Sequence, residues 1–207
     1  MTPLHVDAAC LVVVKPAGLL SVPGRGEHQQ DCVAARVQAQ FEDALVVHRL
    51  DMATSGLMLF ARGVDAQRTL SRAFAQREVH KRYVAIVHGR VDPAEGEIDL
   101  PLLADWPNRP LQKVDAAHGK PSLTRYRVLA HDAAANTTRV GLEPVTGRAH
   151  QLRVHLLAIG HPILGDALYA PAAVQGLASR LLLHAESLTF AHPATGEALR
   201  LECDAPF

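Results

Sequence analysis

Short apolar runs that end at glycine, proline, asparagine or aspartate recur along this chain, and they constrain its fold more than any other feature. Cys10–Val14 and Gly56–Ala61 are examples, whereas Leu123–Leu129 and Thr138–Val145 alternate apolar and polar residues. Runs of this length are typical of buried or half-buried strands, because most helices are longer. No stretch approaches the roughly 18 consecutive apolar residues that a membrane helix needs. The chain is therefore predicted to consist mainly of short strands.

Three segments carry apolar residues at helical spacing instead. Asp31, Asp65 and Thr146 precede them and are expected to cap the three helices. In the second helix Arg68 and Arg72 share a polar face, which is either a basic contact surface or an ordinary solvated face. Strands outnumber helices and show no internal repeat. This predicts an α+β fold with a central mixed, largely antiparallel sheet, flanked by helices and loops.

Length and charge limit the possible partners. The chain has 207 residues, which fits one domain without an internal linker. Lysine plus arginine equals aspartate plus glutamate at 21 each, so the net charge is zero. The three cysteines are far apart, which argues against a disulfide framework and favours a reducing compartment. We therefore expect a soluble cytoplasmic protein without membrane association, which binds any charged partner through a local patch.

The segment His48–Gly56 places charged residues between two apolar strands. Arg49 and Asp51 lie two positions apart, close to the predicted core. A carboxylate there is costly unless it is paired. Asp51 therefore either accepts hydrogen bonds from the following amides and closes a turn, or it has a chemical role. The spacing alone leaves both readings open.

This segment, HRLDMATSG, resembles the signature of the RluA-type pseudouridine synthases, H-R-L-D-x-x-T-S-G. The resemblance continues in the family's order through KRY at 81–83, TGRAHQLR at 146–153, GHPILGD at 160–166 and LLHA at 182–185. Together the motifs cover nearly the whole chain. The resemblance implies one pseudouridine synthase catalytic domain over residues 1–207, without an additional amino-terminal RNA-binding domain.

The resemblance also implies roles for individual residues. Asp51 corresponds to the catalytic aspartate, and Arg148 is expected to pair with it and keep it ionised, since a nearby guanidinium lowers a carboxylate pKa. Thr146, as a helix cap, would place Arg148 at the start of its helix. Tyr83 corresponds to the tyrosine that stacks on the flipped base and takes part in proton transfer. Without the resemblance, Tyr83 would be read as a core residue of a strand.

Five further residues are predicted to contact RNA or the target base. Leu183 corresponds to the family's apolar residue against the base, although its pattern is also that of any buried strand leucine. Arg49 is expected to fill the position that the flipped base leaves, unless it forms a salt bridge within the fold. The other three are Arg109 and Lys113, in the long segment Ala104–Pro121, and Arg153. That segment also contains Trp106, and it is either a contact loop or a solvated excursion.

Isomerisation of uridine adds and removes no atoms, so the reaction is expected to need no cofactor and no metal. Nucleotide-binding and zinc motifs are incomplete or missing in the sequence. The expected partner is structured RNA, with no obligate protein partner. The opening KPAGL at 15–19 and WPNRP at 106–110 resemble members that act on the anticodon stem-loop of tRNA and on a 23S rRNA hairpin.

Two alternatives remain at this stage. The chain could modify only one of these RNA classes, and segment Ala104–Pro121 would be the expected place for that difference. It could also be a non-catalytic RNA-binding or chaperone module that kept the fold. The presence of Asp51, Tyr83 and Arg148 argues against this second alternative.

Overall fold

The computed structural model describes the backbone of residues 1–207 and every side chain except that of Glu27. Twelve strands are present: β1 Pro3–Val6, β2 Cys10–Lys15, β3 Ala44–Val46, β4 Ser55–Arg62, β5 His80–His88, β6 Glu95–Asp99, β7 Leu102–Ala104, β8 Gln112–Val114, β9 Leu123–Asp132, β10 Thr137–Pro144, β11 Leu183–Ala191 and β12 Ala198–Glu202. Four α-helices accompany them: α1 Val33–Gln38, α2 Val64–Gln76, α3 Gln151–Ala158 and α4 Ala172–Gln175. The predicted α+β class is confirmed.

The chain forms two compact units. Unit 1 comprises Met1–Lys81 and Ala185–Pro206, and unit 2 comprises Arg82–His184 together with Phe207. The chain passes from one unit to the other inside β5 and again inside β11. The boundary between the units therefore falls within strands and not in a loop. None of the helices in the part of the chain that the structure describes is long and apolar enough to cross a membrane.

Unit 1 is built around β2 and β4, which pair antiparallel from Cys10 opposite Ala61 to Lys15 opposite Gly56. Strand β1 pairs with the other edge of β2, β3 also pairs with β4, and β12 pairs with β11. The apolar run in β4 has no alternation because both faces of the strand are covered. Leu57 and Leu59 pack in one cluster with Leu70 of α2, whereas Met58 packs with Val33 of α1 in another.

The structure differs from both helix caps that were predicted in unit 1, Asp31 and Asp65. Helix α1 is capped by Cys32, whose sulfur accepts the amide of Ala35. Asp31 instead forms a two-point ion pair with Arg36. Helix α2 begins after Gly63, and Asp65 lies in its first turn. Both aspartates therefore stay close to a helix start, where their negative charge is favourable, without acting as the cap.

Unit 2 contains the antiparallel strands β5, β10, β9 and β6, in that spatial order. Strand β6, Glu95–Asp99, is missing from the sequence-based prediction because its letters, EGEID, are mostly acidic. The segment Ala104–Pro121 is only partly a loop. It contains β8, which pairs with the preceding β7 as a second, two-stranded sheet. We call residues 102–114 the Trp106 hairpin.

Candidate active site

Asp51 lies in unit 1, in the connection between β3 and β4, which we call the Asp51 loop (residues 47–54). Asp51 is half-buried. The amide of Thr54 donates to the backbone carbonyl of Asp51 at 3.1 Å, and Thr54 is itself buried. This backbone hydrogen bond closes a turn that begins at Asp51. The catalytic role that the resemblance implies for Asp51 stays a prediction.

A buried lysine holds the Asp51 loop on its carboxyl-terminal side. The side chain of Lys15 is fully buried, and its ammonium donates to the carbonyl oxygens of Met52 at 2.8 Å, Leu19 at 2.6 Å and Pro16 at 2.9 Å. The amide of Gly18 also donates to the Met52 carbonyl. The residue directly after Asp51 is thus fixed by two donors. A buried charge of this kind needs several hydrogen bonds to be tolerated.

A buried serine holds the other side of the loop. The hydroxyl of Ser21 donates to the carbonyl of Leu50 at 2.6 Å and accepts the amide of Leu50 at 3.0 Å. Lys15 and Ser21 together fix both neighbours of Asp51. Sequence reasoning missed both residues, although the KPAGL motif at 15–19 contains the lysine and precedes the serine by two positions.

His48 fixes the start of the same loop. Its ring stacks on Phe74 with centroids 4.7 Å apart, and Nε2 accepts the backbone amide of Leu59 at 2.9 Å. Burial, reinforced by the positive charge of Lys81, lowers the pKa of His48 to about 3. The imidazole is therefore neutral near pH 7. Arg49, the next residue, is exposed beside this fixed ring.

The glycine that ends the signature has a packing role. Gly56 opens into β4 with a φ of 118°, and an added Cβ would collide with the backbone carbonyl of Ala185 in β11. Only a residue without a side chain fits this close approach. Gly56 therefore preserves the spacing of two strands directly after the Asp51 loop.

Tyr83 and Leu183 lie in unit 2. Tyr83 is on β5, opposite Leu142 of β10, and it is half-buried. Leu183 is the first residue of β11 and is buried. The roles that the resemblance implies for these two residues, stacking on the base and packing against it, stay predictions.

Arg148 was expected at the start of a helix, but its segment is not helical. Helix α3 begins only at Gln151, so Thr146 does not cap it. The Thr146 hydroxyl instead accepts the amide of Leu123 at 3.0 Å and donates to the side-chain oxygen of Gln151 at 2.7 Å. Arg148 consequently lies in a turn before the helix, exposed, with Nε donating to the carbonyl of Pro121 at 3.4 Å. Its predicted pairing with Asp51 joins residues of different units and stays a prediction.

Arg153, which is predicted to contact RNA, forms a buried ion pair in unit 2. Its side chain is 3% exposed, and its guanidinium donates to both carboxylate oxygens of Asp166, at 2.8 Å and 2.6 Å. It also lies 5.0 Å from the ring centroid of Tyr169. The guanidinium is therefore held by a buried ion pair within unit 2, and the contact of Arg153 with RNA stays a prediction.

The remaining predicted contacts, Arg109 and Lys113, are both exposed on the Trp106 hairpin. The guanidinium carbon of Arg109 lies 3.3 Å from the centroid of the Trp106 ring. Lys113 lies 3.9 Å from the carboxylate of Asp115, a distance that makes a weak surface pair. Both side chains are thus accessible to a ligand, and their contact with RNA stays a prediction.

Within the side chains that the structure describes, one group could offer three metal ligands, namely His5, Asp7 and Cys10. Its atoms are already engaged. Asp7 accepts the amides of Ala9 and Cys10 and hydrogen bonds to the rings of His5 and His192. Burial, with the nearby Asp7 carboxylate, raises the pKa of the Cys10 thiol to about 12, which disfavours the thiolate that a metal needs. The group fits a hydrogen-bonded hairpin better than a metal site.

Comparison with known proteins identifies the family. Residues 9–158 match the model of the RNA pseudouridylate synthase family. The chain is 54% identical over 204 residues to the dual-specificity RNA pseudouridine synthase RluA of Escherichia coli strain K12, covering 99% of this chain and 93% of that protein. It is 51% identical to the RluA of Yersinia pestis, with both chains covered completely.

Solved structures agree with this match. Human RNA pseudouridylate synthase domain containing 1 superposes with a TM-score of 0.82 at 28% identity, covering 100% of this chain and 84% of that one. Human RNA pseudouridylate synthase domain containing 4 gives 0.78 at 28% identity, covering 99% and 88%. The chain therefore belongs to the RNA pseudouridylate synthase family, whose members are isomerases that convert uridine in RNA to pseudouridine.

Proposed function

We propose that this chain is a dual-specificity synthase, which forms pseudouridine in the anticodon stem-loop of tRNA and in a hairpin loop of 23S rRNA. Full-length identity of 51–54% to synthases named as dual-specific supports this assignment. The observation that carries the chemistry is local. Asp51 is held between two residues whose backbones are fixed by the buried Lys15 and Ser21.

In the proposed reaction, the bond between N1 of uracil and C1′ of ribose breaks, and a bond between C5 and C1′ forms. The proton on C5 leaves, and N1 gains a proton, so atoms balance without a co-reactant. Asp51 supplies an anion beside the anomeric carbon, whether it attacks the sugar or removes a sugar proton. A rigid loop suits this role, because the carboxylate then needs little reorganisation when the substrate arrives.

The target base must leave its stack before it can reach Asp51. Flipping costs a few kcal/mol, which contacts with the opened RNA have to offset. We propose that the exposed Arg49, two residues from Asp51, occupies the vacated position. The resemblance assigns contacts with the base to Tyr83, which is half-buried, and to Leu183, which is buried. No metal and no cofactor take part in this scheme.

The decisive experiment maps pseudouridine in total tRNA and rRNA after deletion of the gene. The strain is complemented with wild type, with Asp51→Asn and with Asp65→Asn, whose carboxylate is almost fully exposed. We expect the deleted strain to lose a mark in both RNA classes. Wild type and Asp65→Asn should restore both marks, and Asp51→Asn neither.

Each other outcome supports a different reading. Restoration by Asp51→Asn would overturn the mechanism. A mark lost in only one RNA class would support a single-substrate synthase, and no lost mark would support a non-catalytic RNA-binding protein. We place the enzyme in the cytoplasm in this proposal, because its proposed substrates are there and its three cysteines are free thiols.

Arg148→Ala separates two roles for this arginine. The exposed turn position favours a contact with RNA, because an exposed guanidinium is screened by solvent and shifts a carboxylate pKa weakly. We expect the variant to weaken RNA binding and turnover at subsaturating RNA by the same factor. A loss of turnover with unchanged binding would instead support the pairing with Asp51 that the resemblance implies.

A further inference from the structure

Trp106 is an exposed aromatic residue of the hairpin. It is the only tryptophan of the chain, and 65% of its surface is exposed. Arg109 covers its ring at 3.3 Å from the centroid. Because Trp106 stays 65% exposed with Arg109 over its ring, part of the indole surface is open to a ligand. A large aromatic side chain left in water beside an arginine is typical of binding surfaces.

The turn that presents Trp106 is closed by hydrogen bonds. The amide of Asp105 donates to the carbonyl of Leu111 at 2.9 Å, and the amide of Leu111 donates to the carbonyl of Asn108 at 3.0 Å. The side-chain amide of Asn108 donates to the carboxylate of Asp105 at 2.9 Å. Trp106 is thus held in a preformed turn, which reduces the entropy lost when a ligand binds.

The base of the hairpin is anchored to the rest of unit 2 through Tyr169. The amide of Gln112 donates to the Tyr169 hydroxyl at 2.9 Å, and that hydroxyl bonds Nδ1 of His150 at 2.6 Å. Asp166, which binds Arg153, also accepts the amide of Tyr169 at 3.3 Å. The hairpin is therefore connected to the segment that carries Arg148, two residues before His150.

Charge on the hairpin and the segment after it favours an anionic ligand. Arg109, Lys113 and Lys120 are all exposed. The two acidic residues are used internally, since Asp105 binds Asn108 and Asp115 accepts the amides of Ala117 and His118. The hydrogen bond from the His118 amide, followed by that from Ala117, lowers the pKa of the Asp115 carboxyl. An aromatic surface surrounded by cations suits a nucleobase next to phosphates.

We propose that Trp106 and Arg109 form a stacking platform for one unpaired nucleobase of the RNA substrate. The base stacks on the open surface of the indole, while Arg109, Lys113 and Lys120 face the neighbouring phosphates. The inference rests on the proposed function, because it takes the substrate of that reaction as its ligand. It makes the hairpin a determinant of specificity, since a base in a continuous helix is not available for stacking.

The single tryptophan makes a direct test possible, because its fluorescence reports on one position. An RNA hairpin with the sequence of a tRNA anticodon stem-loop is titrated into wild-type protein, while binding is followed separately by anisotropy of a labelled RNA. We expect RNA to quench Trp106 and to protect it from acrylamide. Inorganic polyphosphate, which has no bases, should bind without this quenching. In a series of hairpins with one abasic loop position each, one member should fail to quench.

Variants measure the energetic weight of the platform. Trp106→Ala should weaken RNA binding about 10-fold, as loss of one base–aromatic stack does, and Trp106→Phe by less than about threefold. Leu177→Ala, which truncates another exposed apolar residue of unit 2, is the matched control and should change nothing. Because stacking is not ionic, Trp106→Ala should leave the salt dependence of binding unchanged.

The outcomes separate this inference from the function on which it rests. RNA binding without quenching of Trp106, equal quenching by polyphosphate, or unchanged affinity of Trp106→Ala would each overturn the platform while leaving the synthase intact. Failure of the wild-type protein to form pseudouridine in any RNA would overturn the proposed function itself. Quenching that disappears at one abasic position would support the platform and identify its nucleotide.

Discussion

The Asp51 loop and the Trp106 hairpin are both short connections between strands, yet they are stabilised in opposite ways. The Asp51 loop is fixed from within the fold by the buried side chains of Lys15, Ser21 and His48. The Trp106 hairpin is fixed at its base, through Tyr169, and leaves its aromatic and basic side chains exposed.

The difference corresponds to two kinds of task. A reacting carboxylate gains from a position fixed to within a fraction of an ångström, which buried polar contacts provide. A surface that binds RNA gains from accessible rings and cations on a preformed support. Substitutions in the supports should therefore change stability strongly, whereas substitutions at the exposed tip should change binding with little effect on stability.

The largest effect is expected at the base of the hairpin. Asp166→Asn disrupts the buried two-point ion pair with Arg153 and should lower the free energy of unfolding by about 3–5 kcal/mol. The matched control is Asp31→Asn. Asp31 makes a similar two-point pair with Arg36 in an exposed position, so this variant should lose far less stability. Urea denaturation measures both. Equal losses would contradict the distinction between the two pairs.

Lys15→Met should have the next largest effect. It leaves the carbonyls of Pro16, Leu19 and Met52 without the ammonium, and an unsatisfied buried acceptor costs about 1–3 kcal/mol. We expect an overall loss of about 3 kcal/mol in urea denaturation, together with a strong loss of turnover at temperatures where the variant is folded. Arg200→Met, which removes an exposed cation of the same unit, serves as control. Full turnover in a folded Lys15→Met protein would show that the lysine does not position the loop.

Ser21→Ala removes both hydrogen bonds to Leu50 and should cost about 1–2 kcal/mol of stability. Since Ser21 positions Asp51 without being placed against RNA, kcat should fall while the Kd for RNA stays unchanged. Ser21→Thr retains the hydroxyl and should recover part of kcat. A variant with wild-type kcat and weaker RNA binding would refute this positioning role.

The neutral His48 predicts a smaller, pH-dependent effect. In the unfolded chain His48 takes up a proton below about pH 6.5, whereas the folded protein keeps it neutral down to about pH 3. Stability should therefore fall as the pH is lowered from 6.5, because the unfolded state binds more protons. Comparing denaturation of wild type and His48→Gln from pH 7.5 to 5 isolates this residue. Identical slopes for the two proteins would show that His48 does not contribute.

The smallest change in stability is expected at the tip of the hairpin. Lys113→Ala should alter the free energy of unfolding by less than about 0.5 kcal/mol. If Lys113 faces a phosphate, the slope of log affinity against log salt should decrease in magnitude by about one. Binding titrations at several salt concentrations measure this slope. An unchanged slope would place the phosphate contacts on other residues.

Sequence patterns predicted most of the fold where burial dominates. The apolar runs in β2 and β4 and the alternating β9 and β10 are strands as expected, because their spacing reflects which faces are covered. The acidic β6 escaped prediction, since strand pairing rather than composition holds Glu95–Asp99 opposite β9. The predicted helix caps were wrong for a related reason. The backbone conformation places Cys32 and Gly63 at the helix starts, and the local sequence pattern does not show that conformation.

The same limit applies to the candidate site. Resemblance located Asp51 and its neighbours, but TGRAHQLR does not reveal which arginine is buried. The start of helix α3 at Gln151 decides which of the two arginines is buried. Arg148 lies before the helix in an exposed turn, whereas Arg153 lies within it and forms a buried pair with Asp166. Asp166 is 13 residues from Arg153 along the chain, so only the folded structure brings the pair together.

The burial of Lys15 has a practical consequence for chemical footprinting. The chain has four lysines, at positions 15, 81, 113 and 120, and Lys113 and Lys120 are exposed whereas Lys15 is inaccessible to solvent. An amine-reactive acylating reagent applied to the native protein should therefore modify positions 113 and 120 fastest. Mass spectrometry of such a reaction, with and without RNA, would read out occupancy of the Trp106 hairpin residue by residue, with Lys15 as an internal gauge of unfolding.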